Sequence, residues 1–124
     1  MVNNKDNPDN KRRLKRWKLF YYLSVYDSSK SHLLGHLIDL NINGMMLLSR
    51  KPIATGIEFN TKINVPAEKD GIDSEDQVLL KAKSMWSRPD TDPNFYNTGF
   101  QFIGLNREAK SDIEQLISLM KSQY

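Results

Sequence analysis

Ile57-Glu58-Phe59-Asn60-Thr61-Lys62-Ile63-Asn64-Val65 alternates between a β-branched or aromatic set and a polar set with a period of two. That period puts Ile57, Phe59, Thr61, Ile63 and Val65 on one face of an extended chain and leaves the other face wet. A helix of this sequence would spread the apolar residues round its whole circumference, so the stretch reads as a strand of an antiparallel sheet. Similar strands flank it. Lys18 to Asp27 is rich in Phe, Tyr, Leu and Val, His32 to Ile42 follows a Ser-Ser-Lys-Ser turn, and Met45 to Leu48 is short and apolar. Downstream, Val78 to Ser87 places Leu80, Ala82, Ser84 and Trp86 on one face. Phe95 to Ile103 does the same with Tyr96, Thr98, Phe100 and Phe102.

The punctuation fits this reading. Asn43-Gly44 is a tight-turn dipeptide, because both residues tolerate positive φ. Residues 66–76 hold five acidic residues and Gly71, and read as a solvated loop. The end of the chain changes period: Ile113, Leu116, Ile117 and Met120 form the stripe of an amphipathic helix, capped by Asn106 or by Ser111 with Glu114. The expected fold is mainly β: a small six-stranded antiparallel β-barrel over residues 19–104, with a C-terminal α-helix over 106–122. A flexible basic N-terminal arm, 11–18, precedes the barrel. Residues 1–10, polar and almost without apolar side chains, are expected to be disordered, so 11–124 is read as one domain, as its length also suggests.

Composition excludes several chemistries. With no cysteine among 124 residues there is no disulfide framework, thiolate nucleophile or sulfur-ligated zinc. No apolar run approaches the roughly 20 residues that span a bilayer, and the first ten residues lack a secretory core; a cytoplasmic protein without membrane insertion is expected. His32 and His36, on one face of a strand by their even spacing, lack an obvious third metal ligand. No nucleophile elbow, phosphate-cradling glycine loop or distinctive carboxylate pair is present, so no catalytic residues and no metal are expected.

Charge is concentrated at one end. Residues 1–18 carry seven Lys/Arg against two Asp, a net +5, while the other eleven Lys/Arg face thirteen Asp/Glu, a net −2. Six of the eight residues from Lys11 to Lys18 are basic. A polynucleotide-binding surface spreads positive charge over the fold; a basic arm on an acidic body suits a small anionic ligand better.

Arg12 and Arg16 form an RxxxR motif in that arm. Asp39, Asn41 and Gly44 then fit [D/N]xSxxG, with Asn41 in place of serine. With Trp86 and the strand Thr98-Gly99-Phe100-Gln101-Phe102, these residues resemble the PilZ family over Lys11 to about Met120. The resemblance implies binding of the bacterial second messenger cyclic di-GMP, with no cofactor, by Arg12, Arg13, Arg16, Asp39, Asn41 and Gly44. It implies a receptor or adaptor whose arm closes on the ligand and signals to a downstream protein. The physical case agrees: an arginine fork pairs bidentately with guanine O6/N7 or with phosphate, and a carboxylate accepts from guanine N1–H and N2–H. Two alternatives stay open at this level. One is a PilZ-like interaction module that has lost its ligand, which the change at Asn41 would favour; the other is a nucleic-acid-binding β-barrel.

Overall fold

A computed structural model describes residues 23–121 and the backbone of Arg12–Leu14. In chain order the strands are β1 (Arg12–Leu14), β2 (Leu23–Asp27), β3 (His32–Leu40), β4 (Gly44–Ser49), β5 (Glu58–Lys69), β6 (Ile72–Pro89) and β7 (Tyr96–Phe102). Helix α1 (Arg107–Lys121) follows. All pairings are antiparallel. The order β5-β2-β3-β4-β7-β6, with β6 returning to β5, closes six strands into a ring, and β1 adds to β5. The expected mainly β architecture of six ring strands and a C-terminal helix is what forms.

Alternation builds the interior. Leu23, Val25, Leu37, Leu47, Ile63, Val65, Leu80 and Ala82 point inward, and Phe59 meets Phe100 edge-on at 6.0 Å. Ile113 and Leu116 of α1 are fully buried in the same core, so the helical stripe covers an opening that strands alone would leave. Asn106 caps the helix: its Oδ1 accepts the N–H of Ala109 at 2.8 Å, which resolves the choice between Asn106 and Ser111.

Several expectations are corrected. Residues 66–76 are not a loop, since β5 and β6 continue as a hairpin to Lys69↔Ile72. The turn is only Asp70-Gly71, with φ of 53° and 79°, the two positive values a type I′ turn requires. Acidic composition hid the inward-facing Ala67, which is fully buried. Asn43-Gly44 turns the chain differently from expectation, because neither residue has positive φ. The arm is not wholly free: the backbone of Arg12–Leu14 pairs with Ala67–Lys69. Residues 1–11 and 15–22 lie outside the described residues, and with them Arg16 and the expected start of the first barrel strand.

Register shifts decide which side chains face out. One extra residue on β3 at Leu34 puts His32 on the face of Asp27 and His36 on the face of Ser24 and Leu48, so the histidines do not share a face. On β6, Ser84 pairs with Phe100 but Trp86 pairs with Gly99. Met85 is the additional residue there, and it turns Trp86 out of the ring, off the face of Leu80, Ala82 and Ser84.

Candidate functional site

The β3–β4 turn is built by Asn41. Its backbone N–H donates to the Gly44 carbonyl at 2.9 Å, and the Gly44 N–H donates back at 3.3 Å, leaving Ile42-Asn43 as the loop. The Asn41 side-chain oxygen also accepts the N–H groups of Asn43 (2.8 Å) and Gly44 (3.0 Å). This Asx arrangement holds the turn without left-handed residues. The Asn43 carbonyl accepts the N–H of Phe102 at 2.9 Å, which ties the turn to β7. Gly44 is required for another reason than φ: a Cβ there would overlap the Phe100 carbonyl oxygen on the paired strand.

Asp39 precedes the turn on the outer face. A register shift between Leu37 and Asp39 sets its orientation, and it is exposed. Its Oδ1 accepts the N–H of Leu40 at 2.9 Å. From Asp39 a cross-strand row runs over four strands: Asp39 pairs with Met46, Met46 with Gly99, and Gly99 with Trp86. Paired residues share a face, so this row forms a continuous strip on the outside of the ring. It is carboxylate at one end and aromatic at the other.

That strip is the floor of a cleft of about 350 Å³, lined by Asp39, Asn41, Gly44, Met46, Met85, Trp86, Gly99 and Gln101 among others. The indole of Trp86 lies on Gly99, where a Cβ would overlap Cε2, Nε1 and Cζ2. The Arg88 guanidinium stands 4.9 Å from the Trp86 ring centroid, a cation–π distance. A flat, half-buried aromatic surface, an acceptor, an amide and a nearby cation make a site suited to a planar heterocycle with hydrogen-bonding edges.

Three of the six residues expected from the sequence, Asp39, Asn41 and Gly44, therefore meet in one cleft. Arg12 and Arg13 have only their backbone described, on β1 beside β5, and Arg16 lies outside the described residues. Trp86, Met46, Met85 and Gln101 were not expected at the site. Trp86 and Met46 read as core in the sequence, because the shift at Met85 and the outward face of β4 leave no mark in composition. No group of three or more His, Asp or Glu side chains able to hold a metal exists among the described residues. None of their helices is long and apolar enough to cross a membrane.

Comparison with known proteins agrees with the geometry. No curated protein matches the chain. Among solved structures, the PilZ domain with c-di-GMP of YcgR from Escherichia coli superposes with a TM-score of 0.54 at 16% identity, over 82% of each chain. This likeness is one of fold. The family model for the PilZ domain matches residues 10–119, from the basic arm to the last turns of α1. A match over most of the length, on a ring of strands that gathers Asp39, Asn41 and Gly44, places the chain in the PilZ domain family, the family of cyclic di-GMP receptors.

Proposed function

We propose that this chain binds cyclic di-GMP in the Asp39–Trp86 cleft, with Arg12, Arg13 and Arg16 of the arm completing the site. The observation that carries this reading is the convergence of Asp39, Asn41 and Gly44 on one outer face with the Trp86 indole. The ligand has two guanines and two phosphates. The carboxylate of Asp39 accepts from guanine N–H groups, the indole offers a face for the base, and the arm's arginines take guanine O6/N7 and phosphate. Charged hydrogen bonds contribute roughly 1.5–3 kcal/mol each and cation–π contacts about 0.5–2 kcal/mol. Two arginines and one carboxylate thus account for much of the ~8 kcal/mol of a micromolar complex, before the cost of ordering the arm.

The output we propose is conformational. Ligand binding draws the basic arm, 11–18, onto the cleft and changes the surface offered to a downstream protein in the cytoplasm; no enzymatic step is assigned. Titration calorimetry of the chain with cyclic di-GMP in low salt tests the reading. Binding at micromolar ligand, lost in Arg12→Ala or Arg16→Ala and kept in Lys5→Ala, is expected; no heat at tens of micromolar ligand overturns it. The second reading, an interaction module without ligand, draws on Asn41 in place of serine and predicts that null result.

A further inference from the structure

The cleft is oppositely charged at its two ends. The carboxylate of Asp39 stands at one, and the guanidinium of Arg88 stands at the other, against Trp86. The row from Asp39 to Trp86 crosses four strands, so the ends lie about 14 Å apart at the usual strand spacing. Arg88 follows Trp86 by two residues on the outer face of β6 and is exposed, at the rim of the cleft rather than in its floor. It differs from an ordinary surface cation in two ways. Its guanidinium is stacked 4.9 Å from the Trp86 ring centroid, which orients it before any ligand arrives. Its charge also lacks a counter-charge. The cross-strand row that ends on it runs His36, Leu48, Asn97, Arg88 and carries no carboxylate. No carboxylate among the described residues lies within ion-pair distance of the guanidinium. Asp90, two residues on, is committed elsewhere: its oxygens accept from the Asn97 amide at 3.0 Å and from the Asp92 N–H at 3.2 Å. The bonds that lower its pKa come from Asn97, Asp92 and Thr91, and none from Arg88.

We propose that Arg88 is a phosphate-binding residue of the cleft, carried by the barrel itself, and that it takes the phosphate adjoining the base seated between Asp39 and Trp86. This rests on the reading that the cleft holds cyclic di-GMP. A guanosine phosphate has the matching polarity, with N–H donors on the base edge and an anion away from it. The planar fork of arginine bonds two phosphate oxygens at once while its face stays on the indole, which the point charge of lysine does not reproduce. Arg88 thus adds to the arm's arginines a cation that sits on a strand and needs no ordering of the arm.

A simpler role, a prop that holds the Trp86 ring in place, ranks substitutions differently. Methionine at position 88 keeps an unbranched side chain against the indole and removes the charge, whereas lysine keeps the charge and loses the fork. Calorimetry with cyclic di-GMP on the unaltered chain, Arg88→Met and Arg88→Lys, at about 50 mM and about 500 mM salt, separates the two roles. Phosphate binding predicts a loss of about tenfold or more for Arg88→Met and of about threefold for Arg88→Lys. It also predicts that affinity falls less steeply with salt in Arg88→Met than in the unaltered chain, a difference that a prop does not produce. Binding by Arg88→Met within about twofold of the unaltered chain, affinity no better for Arg88→Lys than for Arg88→Met, or an unchanged salt dependence would overturn the assignment while leaving cyclic di-GMP binding intact. Failure of the unaltered chain to bind would overturn both.

Discussion

The indole of Trp86 lies directly on the backbone of Gly99, its cross-strand partner on β7. The contact exists because β6 carries one residue more than β7 between Ser84 and Trp86, and because Gly99 has no side chain to hold the ring away. It converts a large apolar residue from core filler into the aromatic end of the cleft.

Gly99→Ala places a methyl group inside the volume of the indole, so the ring must move. The expected cost is about 1–3 kcal/mol, the usual range for overpacking. In a Trp17→Phe background the remaining tryptophan emission should shift to the red as Trp86 becomes more exposed. Unchanged emission and melting temperature would show that the ring does not depend on Gly99.

Gly44→Ala should be as damaging or worse, because its Cβ meets the backbone carbonyl of Phe100 and cannot be relieved by a rotamer change. We expect a loss of at least about 1–3 kcal/mol in urea unfolding. Asn43→Ala, at an exposed position of the same turn, should stay within about 0.5 kcal/mol. Equal effects at the two sites would mean that the turn, not the close approach to β7, sets the need for glycine.

Asp39→Ala removes an exposed carboxylate. Stability should change by no more than about 0.5 kcal/mol, while cyclic di-GMP affinity falls about 10- to 100-fold, the value of one charged hydrogen-bond pair. Calorimetry and thermal melts on the same preparation check both halves. A parallel fall in stability would assign Asp39 to the turn instead.

Asp90 has its carboxyl pKa held below the usual value, first by the side-chain N–H of Asn97 and then by backbone N–H groups of Asp92 and Thr91. A lowered folded pKa makes the ionised form the stabilising one. Its contribution is complete above the ordinary carboxylate range near 3.8 and is lost as pH falls through the lower folded value. Carbon-13 titration of the Asp90 carboxyl should give a midpoint below 3.8, and Asn97→Ala should move that midpoint upward. A midpoint unmoved by Asn97→Ala would remove the side-chain bond as the principal cause.

What was legible in the sequence follows from local physics. Period-two alternation in residues such as Phe59, Ile63 and Val65 fixes strand and inward face without reference to a neighbour. The i, i+3, i+4 spacing of Ile113, Leu116 and Ile117 does the same for α1. The motif residues Asp39, Asn41 and Gly44 were visible because their spacing lies within one hairpin. Asp70-Gly71 was also legible as a type I′ turn, but the acidic residues around it drew the reading toward a loop.

The rest depended on pairs of strands. Which way Trp86 points, whether His32 and His36 share a face, and why residue 44 is glycine are all set by register. Register is a relation between two segments far apart in the chain, and a single extra residue such as Met85 reverses the face of everything beyond it. The sequence by itself determined the alternating strands, the closing helix and the basic arm, because each arises from neighbours along one chain. Only the tertiary structure decided that Asp39, Met46, Gly99 and Trp86 form one row, because cross-strand pairing joins four segments that share no local signal.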